Sequence, residues 1–223
     1  MSTPAQSQRL SLVAVSAGLG RPSATRLLVD RLTAATAERL AEHGAAPATR
    51  VVELREHASD IANAMVTGFP GSGLRAAVEA VAGADGVIAA TPVFTASYSG
   101  LFKSFIDVLE DTALAGTPVL LAATGGTMRH SLMLEHTMRP LFAYLRALTV
   151  PTGVFAASDD WGAGGDSYTA DLSRRIDRAA GELAAFMAGR PRPGGAHGTA
   201  EEDEDAVVPF EQRLAQIREP GGG

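Results

Sequence analysis

Three short segments carry the residue types that could do chemistry, and each follows an apolar run. The first is SAGLGRPSAT (residues 16–25), in which hydroxyl groups and a guanidinium surround two glycines. These side chains, together with the free amides of a helix N-terminus, could hold a phosphate group; they belong to Ser16, Arg21, Ser23 and Thr25. An ordinary helix N-cap at Ser23 above a glycine-rich turn is the alternative. The segment has neither the Gly-Lys-Ser/Thr end of a P-loop nor a GxGxxG pattern.

The second and third segments could accommodate a flat ring. In TPVFTAS (residues 91–97), Pro92 has no N–H for a sheet ladder, so we predict that the preceding strand ends there. The loop would then offer backbone atoms and Phe94 to the ring; a plain strand-to-helix turn with Phe94 in the core is the alternative. In ATGGTMRH (residues 123–130), two glycines permit the close approach of a ligand or simply a tight turn.

The apolar patterns around these segments predict alternating strands and helices. The predicted strands span residues 10–16, 49–54, 86–90, 117–123 and 152–156. The predicted helices span residues 23–43, 74–82, 99–109, 130–148 and 169–188, and residues 55–73 are ambiguous. This alternation indicates an α/β fold with a doubly wound parallel sheet.

We predict a flavodoxin-like sheet of five parallel strands in the order 2-1-3-4-5. The carboxyl ends of strands one, three and four are neighbours in this order, and ligands of open parallel sheets bind at such ends. The three segments follow these strands. Their coincidence at one edge of the sheet favours a bound cofactor that is both phosphorylated and planar.

Composition narrows the classes of protein and of site. The chain has 223 residues, 46% of them hydrophobic, which suits one α/β domain of residues 1–189 and a tail of residues 190–223, with a Pro/Gly and acidic linker before a short amphipathic piece. The absence of cysteine excludes disulfides, thiolate catalysis, iron–sulfur clusters and cysteine-based zinc sites. A formal net charge of -6 disfavours nucleic-acid binding. We find no secretory signal and no membrane-spanning run, so we expect a cytoplasmic protein.

Metal chemistry is not expected either. The histidines are scattered and lack HExxH spacing, so we predict no metal site. Asp159 and Asp160 could suggest a pair of metal-binding carboxylates, but a solvated loop after the fifth strand is the preferred interpretation.

The motifs ATPVFTASYSGLFKSFIDVL (residues 90–109) and ATGGTMRHSL (residues 123–132) resemble those of the NAD(P)H-dependent FMN reductases. The chain is most similar to the branch that supplies reduced flavin to two-component monooxygenases, as in alkanesulfonate use. The resemblance covers roughly residues 10–188. It implies hydride transfer from NAD(P)H to FMN, a homodimer or homotetramer, and a partner monooxygenase that receives FMNH2.

The resemblance also implies roles for individual residues. The implied FMN-binding residues are Ser16, Arg21, Ser23, Ala24 and Thr25 for the phosphate, Pro92, Val93, Phe94 and Thr95 for the ring, and Gly125, Gly126 and Thr127 for its pyrimidine side. Relatives often have an arginine two residues after the first serine of this set. Here that position is Gly18, and Arg21 is the expected replacement.

Pro140 lies inside the long helix predicted over residues 130–148 and removes the N–H that would bond the His136 carbonyl. A one-turn π-bulge would let the Leu141 N–H bond that carbonyl instead, and a plain proline kink is the alternative. The resemblance implies a π-helix insertion in this helix, with a histidine or aromatic residue near the oligomer interface. That residue would be His136, a candidate modulator of activity.

The sequence leaves two alternative functions open. A reductase with tightly bound FMN that acts on quinones, azo dyes or chromate would have nearly the same sequence features. A flavodoxin-type electron carrier would hold the ring between aromatic side chains, whereas the second segment offers only Phe94 and the third offers none. The cofactors carry hydride-transfer chemistry themselves, so we expect no catalytic side chain.

Overall fold

The computed structural model of this protein describes residues 9–161 and 167–189. The predicted tail, residues 190–223, lies outside the described residues, so the domain boundary after residue 189 stays a prediction.

The sheet contains seven strands, and helices cover both of its faces. The strands are β1 (Arg9–Ser16), β2 (Ala46–Glu53), β3 (Gly86–Phe94), β4 (Ser97–Tyr98), β5 (Pro118–Gly125), β6 (Leu148–Thr149) and β7 (Val154–Ala157). The α-helices are α1 (Ala24–Glu42), α2 (Ala58–Thr67), α3 (Ser72–Ala82), α4 (Gly100–Ile106), α5 (Arg139–Tyr144) and α6 (Ser167–Gly189). Short 3-10 turns span Leu54–His57, Met128–His130 and Ser158–Trp161, and a π-helix spans Leu134–Met138.

The strand order confirms the predicted flavodoxin-like topology. The parallel strands follow the order β2-β1-β3-β5, and both β6 and β7 pair with β5. The predicted strands four and five correspond to β5 and β7. Two short strands were not predicted, namely β4, which pairs antiparallel with β3, and β6. The carboxyl ends of β1, β3 and β5 are therefore adjacent, as the sequence predicts.

Side-chain alternation along the strands divides the core into two layers. Val13 and Val15 of β1 face the layer formed by α2, α3, α4 and α5. Leu12 and Ala14 face the layer formed by α1 and α6. The buried side chains of both layers are predominantly apolar, and helices cover both faces of the sheet.

The prediction that β3 ends at Pro92 is wrong, because the strand continues to Phe94. The Ala90 carbonyl accepts the Ala17 N–H at 2.9 Å, so residue 90 faces β1, and by alternation residue 92 faces the same side. The pairing of β1 with β3 stops at Ser16 opposite Ala90. At Pro92 no residue of β1 is paired with β3, so the lack of an N–H costs no ladder hydrogen bond.

The helix predicted over residues 130–148 is interrupted. Arg139 N–H donates to the Leu134 carbonyl five residues back, which is the wide hydrogen bond of a π-helix. The structure thus confirms a π-bulge rather than a plain proline kink, and it places this bond two residues before the predicted one. Pro140 lies in the first turn of α5, where a missing N–H is tolerated.

Arg139 fixes the junction between the π-helix and α5. Its guanidinium donates to both carboxylate oxygens of Glu135, at 2.6 and 3.0 Å. It also reaches Thr149 Oγ1 at 2.8 Å and the carbonyls of Val150 and Pro151 at 3.2 Å. The hydrogen bond from Arg139 lowers the pKa of Glu135. This pair therefore contributes stability at neutral pH, and the contribution is lost as the pH falls through the lowered pKa.

Replacement of Pro140 by alanine tests whether the proline selects the π-helix. Pro140→Ala restores an N–H that could bond the His136 carbonyl in a regular α-turn. We expect the π-helix to relax, with a rotation of His136 relative to α5 by roughly the 100° that one residue occupies in a helical turn. A crystal structure of the variant and its oligomer distribution by light scattering measure this. Pro47→Ala, on the edge strand β2, is the control; a variant that keeps the Arg139 to Leu134 bond would contradict the expectation.

Candidate functional site

The first loop, residues 17–23, folds tightly onto the N-terminus of α1. Ser23 is the N-cap, and its Oγ accepts the Arg26 N–H at 3.2 Å. A Cβ atom at Gly18 would lie 2.0 Å from Ser23 Oγ and 3.1 Å from Thr25 Cβ. A larger residue at Gly18 would displace the cap, so this loop conformation has no room for an arginine there. Arg21 is the only cation within the loop.

Three arginines surround the first loop, and two of them are already engaged. Arg26 and Arg55 both form ion pairs with Glu53, the last residue of β2. Arg55 also donates to the Gly20 carbonyl at 2.8 Å, which fastens the loop to the end of β2. The Arg21 side chain is exposed and has no hydrogen bond or ion pair with any residue of the ranges 9–161 and 167–189. It is therefore free to bind an anion.

Two of the predicted phosphate ligands lie deeper than the loop surface. Ser16 and Thr25 are 1% and 2% exposed. The hydroxyl of Thr25 shares a 2.7 Å hydrogen bond with the hydroxyl of Thr124 on β5. This bond ties α1 to β5, so Thr25 lies behind the surface near Arg21, where half-buried Ser23 and exposed Ala24 are accessible.

The second loop is the tip of a β-hairpin. Strand β3 ends at Phe94, and β4 pairs back with Phe94 opposite Ser97. The two turn residues, Thr95 and Ala96, have φ angles of +49° and +63°. Two successive positive φ angles define a type I′ turn, which residues other than glycine, asparagine and aspartate rarely form. Phe94 is 47% exposed at this tip, so the alternative that places it in the core is wrong.

The base of the hairpin is rigid. Thr91 Oγ1 accepts the Ser99 N–H at 3.0 Å, and Ser99 Oγ in turn caps α4 by accepting the Phe102 N–H at 3.2 Å. The Tyr98 ring packs on the Phe102 ring, with 5.9 Å between their centroids. The exposed tip is thus held on a fixed base, which suits a loop that must present its backbone to a ligand.

The two glycines of the third loop have different surroundings. A Cβ atom at Gly125 would lie 2.8 Å from Phe155 Cζ, so this glycine allows β5 to pack against an aromatic ring of β7. A Cβ atom at Gly126 would meet no atom of the described residues within 4 Å. Thr127 begins a 3-10 turn, where its Oγ1 accepts the Arg129 N–H at 3.4 Å. Gly126 is therefore the glycine that leaves room for a ligand.

The sheet register brings the three loops together. Ser16 pairs with Ala90, Thr91 with Ala123 and Pro92 with Thr124, so all three loops leave the sheet at the same edge. One end of this edge offers a free guanidinium, a hydroxyl and helix amides, and the other offers an exposed aromatic residue and an open glycine. This donor set fits a ligand with a phosphate at one end and a flat ring at the other.

Comparison with known proteins identifies the family. The family model described as NADPH-dependent FMN reductase matches residues 10–162. The chain belongs to this FMN reductase family. A Pseudomonas aeruginosa protein named FMN reductase (NADPH) is 38% identical to this reductase over 80% of this chain and 93% of the relative. A Pseudomonas fluorescens protein named NADH-dependent FMN reductase SfnF is 38% identical over 82% and 94% of the two chains.

A solved structure confirms the fold of this FMN reductase. The crystal structure of an oxidoreductase from Corynebacterium diphtheriae is 43% identical, with a TM-score of 0.80, and the match covers 83% of this chain and 100% of that one. As a member of the family, the protein is an oxidoreductase, and its cofactors are FMN and NAD(P)H. None of the helices in the part of the chain that the structure describes is long and apolar enough to cross a membrane.

Asp160 corrects one prediction. It does not lie in a solvated loop, because only 4% of the residue is exposed. Its carboxylate accepts the Ala157 N–H at 2.7 Å and pairs with Arg175 at 3.0 Å. The Asp160 carboxylate is already bound by a backbone amide and a guanidinium. This engagement, and not exposure to solvent, is the reason to disfavour Asp159 and Asp160 as a metal-binding pair.

Sequence reasoning missed the packing roles of three residues that shape the site, namely Gly18, Arg55 and Thr124. A signal for two of them was available, since Arg55 follows the carboxyl end of β2 and Thr124 lies near the carboxyl end of β5. The predicted strand order places both ends beside the first loop. Gly18 carried no such signal, because its value depends on the distance to the Ser23 hydroxyl.

Proposed function

We propose that this FMN reductase takes up FMN from solution, reduces it with NAD(P)H and releases the reduced flavin to a flavin-dependent monooxygenase. The observation that carries the proposal is the openness of the ring-binding edge. Phe94 is 47% exposed, and the space beside Gly126 is free of described atoms within 4 Å. A site of this kind allows the flavin to enter and leave, whereas a prosthetic flavin is usually buried.

Each of the three loops would bind a different part of FMN. Arg21, Ser23 and the amides at Ala24 and Thr25 would hold the phosphate, with Ser16 behind them. The backbone from Pro92 to Thr95 would support the ring, and Gly126 and Thr127 would contact its pyrimidine side, with Gly125 maintaining the packing behind the loop. Hydride transfer is the chemistry that bound nicotinamide and flavin supply. The chain orients the two rings and excludes water from one side.

A homodimer or homotetramer is part of the proposal. Three large apolar side chains in residues 132–148, the segment that contains the π-helix, are exposed in the single chain: Leu132 at 64%, Tyr144 at 69% and Leu148 at 48%. Their exposure supports an interface between copies of the chain on this side, where the exposed His136 would act as a modulator. Residues 1–189 would carry the reductase activity in this arrangement.

Steady-state kinetics with free FMN as the varied substrate test the proposed function. We expect a colourless protein after gel filtration, and NAD(P)H oxidation that depends on added FMN and saturates with it. The alternative of a tightly bound FMN predicts the opposite pattern. In that case the purified protein would be yellow and would reduce quinones with NAD(P)H without added flavin.

A further inference from the structure

A half-buried carboxylate lies beside the first loop, where the proposed function places the FMN phosphate. Glu53 is the last residue of β2 and pairs in register with Ser16, the last residue of β1. The Glu53 side chain is only 15% exposed. A carboxylate repels a phosphate, and solvent screens this repulsion less when the carboxylate is partly buried. The negative charge of Glu53 therefore weakens the binding of a phosphate in the first loop.

Both oxygens of the Glu53 carboxylate are engaged by arginines. Oε1 accepts a hydrogen bond from Arg26, and Oε2 pairs with Arg55 at 2.7 Å. Arg26 has a second acidic partner, Asp30, at 2.8 Å. Arg55 forms no ion pair with any other residue of the ranges 9–161 and 167–189. Glu53 is therefore the acidic residue that offsets the charge of Arg55.

The hydrogen bonding of Arg55 is incomplete. Its Nη1 donates to the Gly20 carbonyl at 2.8 Å, so its guanidinium contacts the residue that directly precedes Arg21. Its Nε is buried and has no hydrogen-bond partner among the described residues, although buried donors are normally paired. Arg55 is therefore a second positive charge at the first loop, with a donor that its present partners leave unused.

We propose that Glu53 sets the affinity of this reductase for FMN, because it offsets the charge of Arg55 and leaves Arg21 as the one unbalanced cation at the phosphate. The inference rests on the proposed function in requiring that the FMN phosphate bind at the first loop. Two unbalanced guanidiniums would hold a phosphate tightly, which suits a prosthetic flavin. One unbalanced guanidinium near a carboxylate holds it more weakly, which suits a flavin that is released at each turnover. Glu53 thus tunes affinity and touches no reacting atom.

Replacement of Glu53 by glutamine tests the proposal. Glu53→Gln keeps the length of the side chain and one acceptor for Arg55, and it removes the negative charge. Fluorescence titration should show that FMN binds the full-length variant about 10-fold more tightly than the unmodified protein, whereas riboflavin, which lacks the phosphate, binds both equally. The gain for FMN should shrink in about 1 M salt, where charges are screened over about 3 Å. A purely structural role of Glu53 would give no such gain.

The Arg55→Gln background isolates the charge of Glu53. Arg55→Gln should weaken FMN binding about 10-fold, because Arg55 then no longer offsets the charge of Glu53. The double variant Glu53→Gln/Arg55→Gln should bind FMN like the unmodified protein, because both charges are gone. These two variants measure the same step if Glu53→Gln alone does not fold. A double variant as weak as Arg55→Gln would show that Arg55 itself binds the phosphate and would overturn the proposal.

Two matched variants serve as controls. Glu53→Asp retains the negative charge and should bind FMN within about 3-fold of the unmodified protein. Glu42→Gln removes a carboxylate that pairs with Arg39 at the other end of α1, and it should leave both flavin affinities unchanged. Unchanged or weaker FMN binding by a folded Glu53→Gln protein would overturn the proposal, as would an equal gain for riboflavin.

Release kinetics and gel filtration separate this inference from the proposed function. Stopped-flow fluorescence should show that FMN leaves Glu53→Gln about 10-fold more slowly than the unmodified protein, since affinity changes within one site act mostly on dissociation. Equal release rates would contradict the inference. If the unmodified protein retains FMN through gel filtration, the proposed function fails, whereas the ratio of the two FMN dissociation constants still decides the role of Glu53.

Discussion

Arg21→Ala should weaken FMN binding about 10-fold to 100-fold and leave riboflavin binding nearly unchanged. Arg21 is the exposed cation of the first loop and has no partner among the described residues, whereas Arg26 and Arg55 are engaged by Glu53. A hydrogen bond between charged groups contributes about 1.5–3 kcal/mol, and only FMN has the phosphate that would make it. Fluorescence titration of both flavins measures the two dissociation constants.

The matched control for Arg21 is Arg39→Ala. Arg39 lies near the other end of α1, roughly 20 Å from the loop at 1.5 Å per residue, and it pairs with Glu42. It should leave both affinities unchanged. A loss for FMN and riboflavin alike would mean that Arg21 supports the loop rather than the phosphate. Arg21 is a cleaner probe than Thr25, because removal of the Thr25 hydroxyl would also break its bond to Thr124.

Asp160→Ala should lower the free energy of unfolding by about 3 kcal/mol, near the lower end expected for breaking a buried ion pair. The Asp160 side chain is 5% exposed, and it joins the end of β7 to α6 through Ala157 N–H and Arg175. Arg175 keeps a second partner, Asp171 at 3.2 Å, which limits the loss. Calorimetric melting should show a decrease in Tm of roughly 6–12 °C for a chain of this size.

The neighbouring residue provides the control for Asp160. Asp159 is exposed, so Asp159→Ala should change the free energy of unfolding by no more than about 0.5 kcal/mol. Asp160→Asn keeps the shape and one acceptor and should fall between the two alanine variants. Equal melting temperatures for Asp159→Ala and Asp160→Ala would show that the buried pair does not stabilise the fold.

Topology was predictable from the sequence because it depends on patterns that span many residues. Apolar runs such as 10–16 and 117–123 alternate with helical periodicity, and few sheet orders accommodate that alternation. The π-helix was also predictable, since Pro140 removes a specific hydrogen-bond donor. The position of its wide bond was not, because Arg139 fixes the junction through Thr149 and the following backbone, ten or more residues away.

The wrong predictions have one cause in common. Each applied a rule about a single residue type, whereas the outcome depended on the strand or helix packed beside that residue. A proline interrupts a strand only where a neighbouring strand would accept a hydrogen bond from the N–H of that residue. The pairing of β1 with β3 has already ended before Pro92. The hairpin turn at Thr95 and Ala96 contains none of the residues that usually mark a type I′ turn. Thr25 looks like a surface hydroxyl in the sequence, and only the packing of α1 against β5 explains its burial.

The bond between Thr25 and Thr124 joins residues that are 99 positions apart, and it ties α1, the helix that follows β1, to β5. Parallel strands in the order β2-β1-β3-β5 require a crossover for every pairing, so these contacts form slowly during folding. The complete edge cannot exist until β5 has docked. A ligand that binds it therefore stabilises only the fully folded chain, by about 2.7 kcal/mol at a concentration 100 times its Kd. The supply of free flavin would thus set the lifetime of this protein against unfolding and proteolysis.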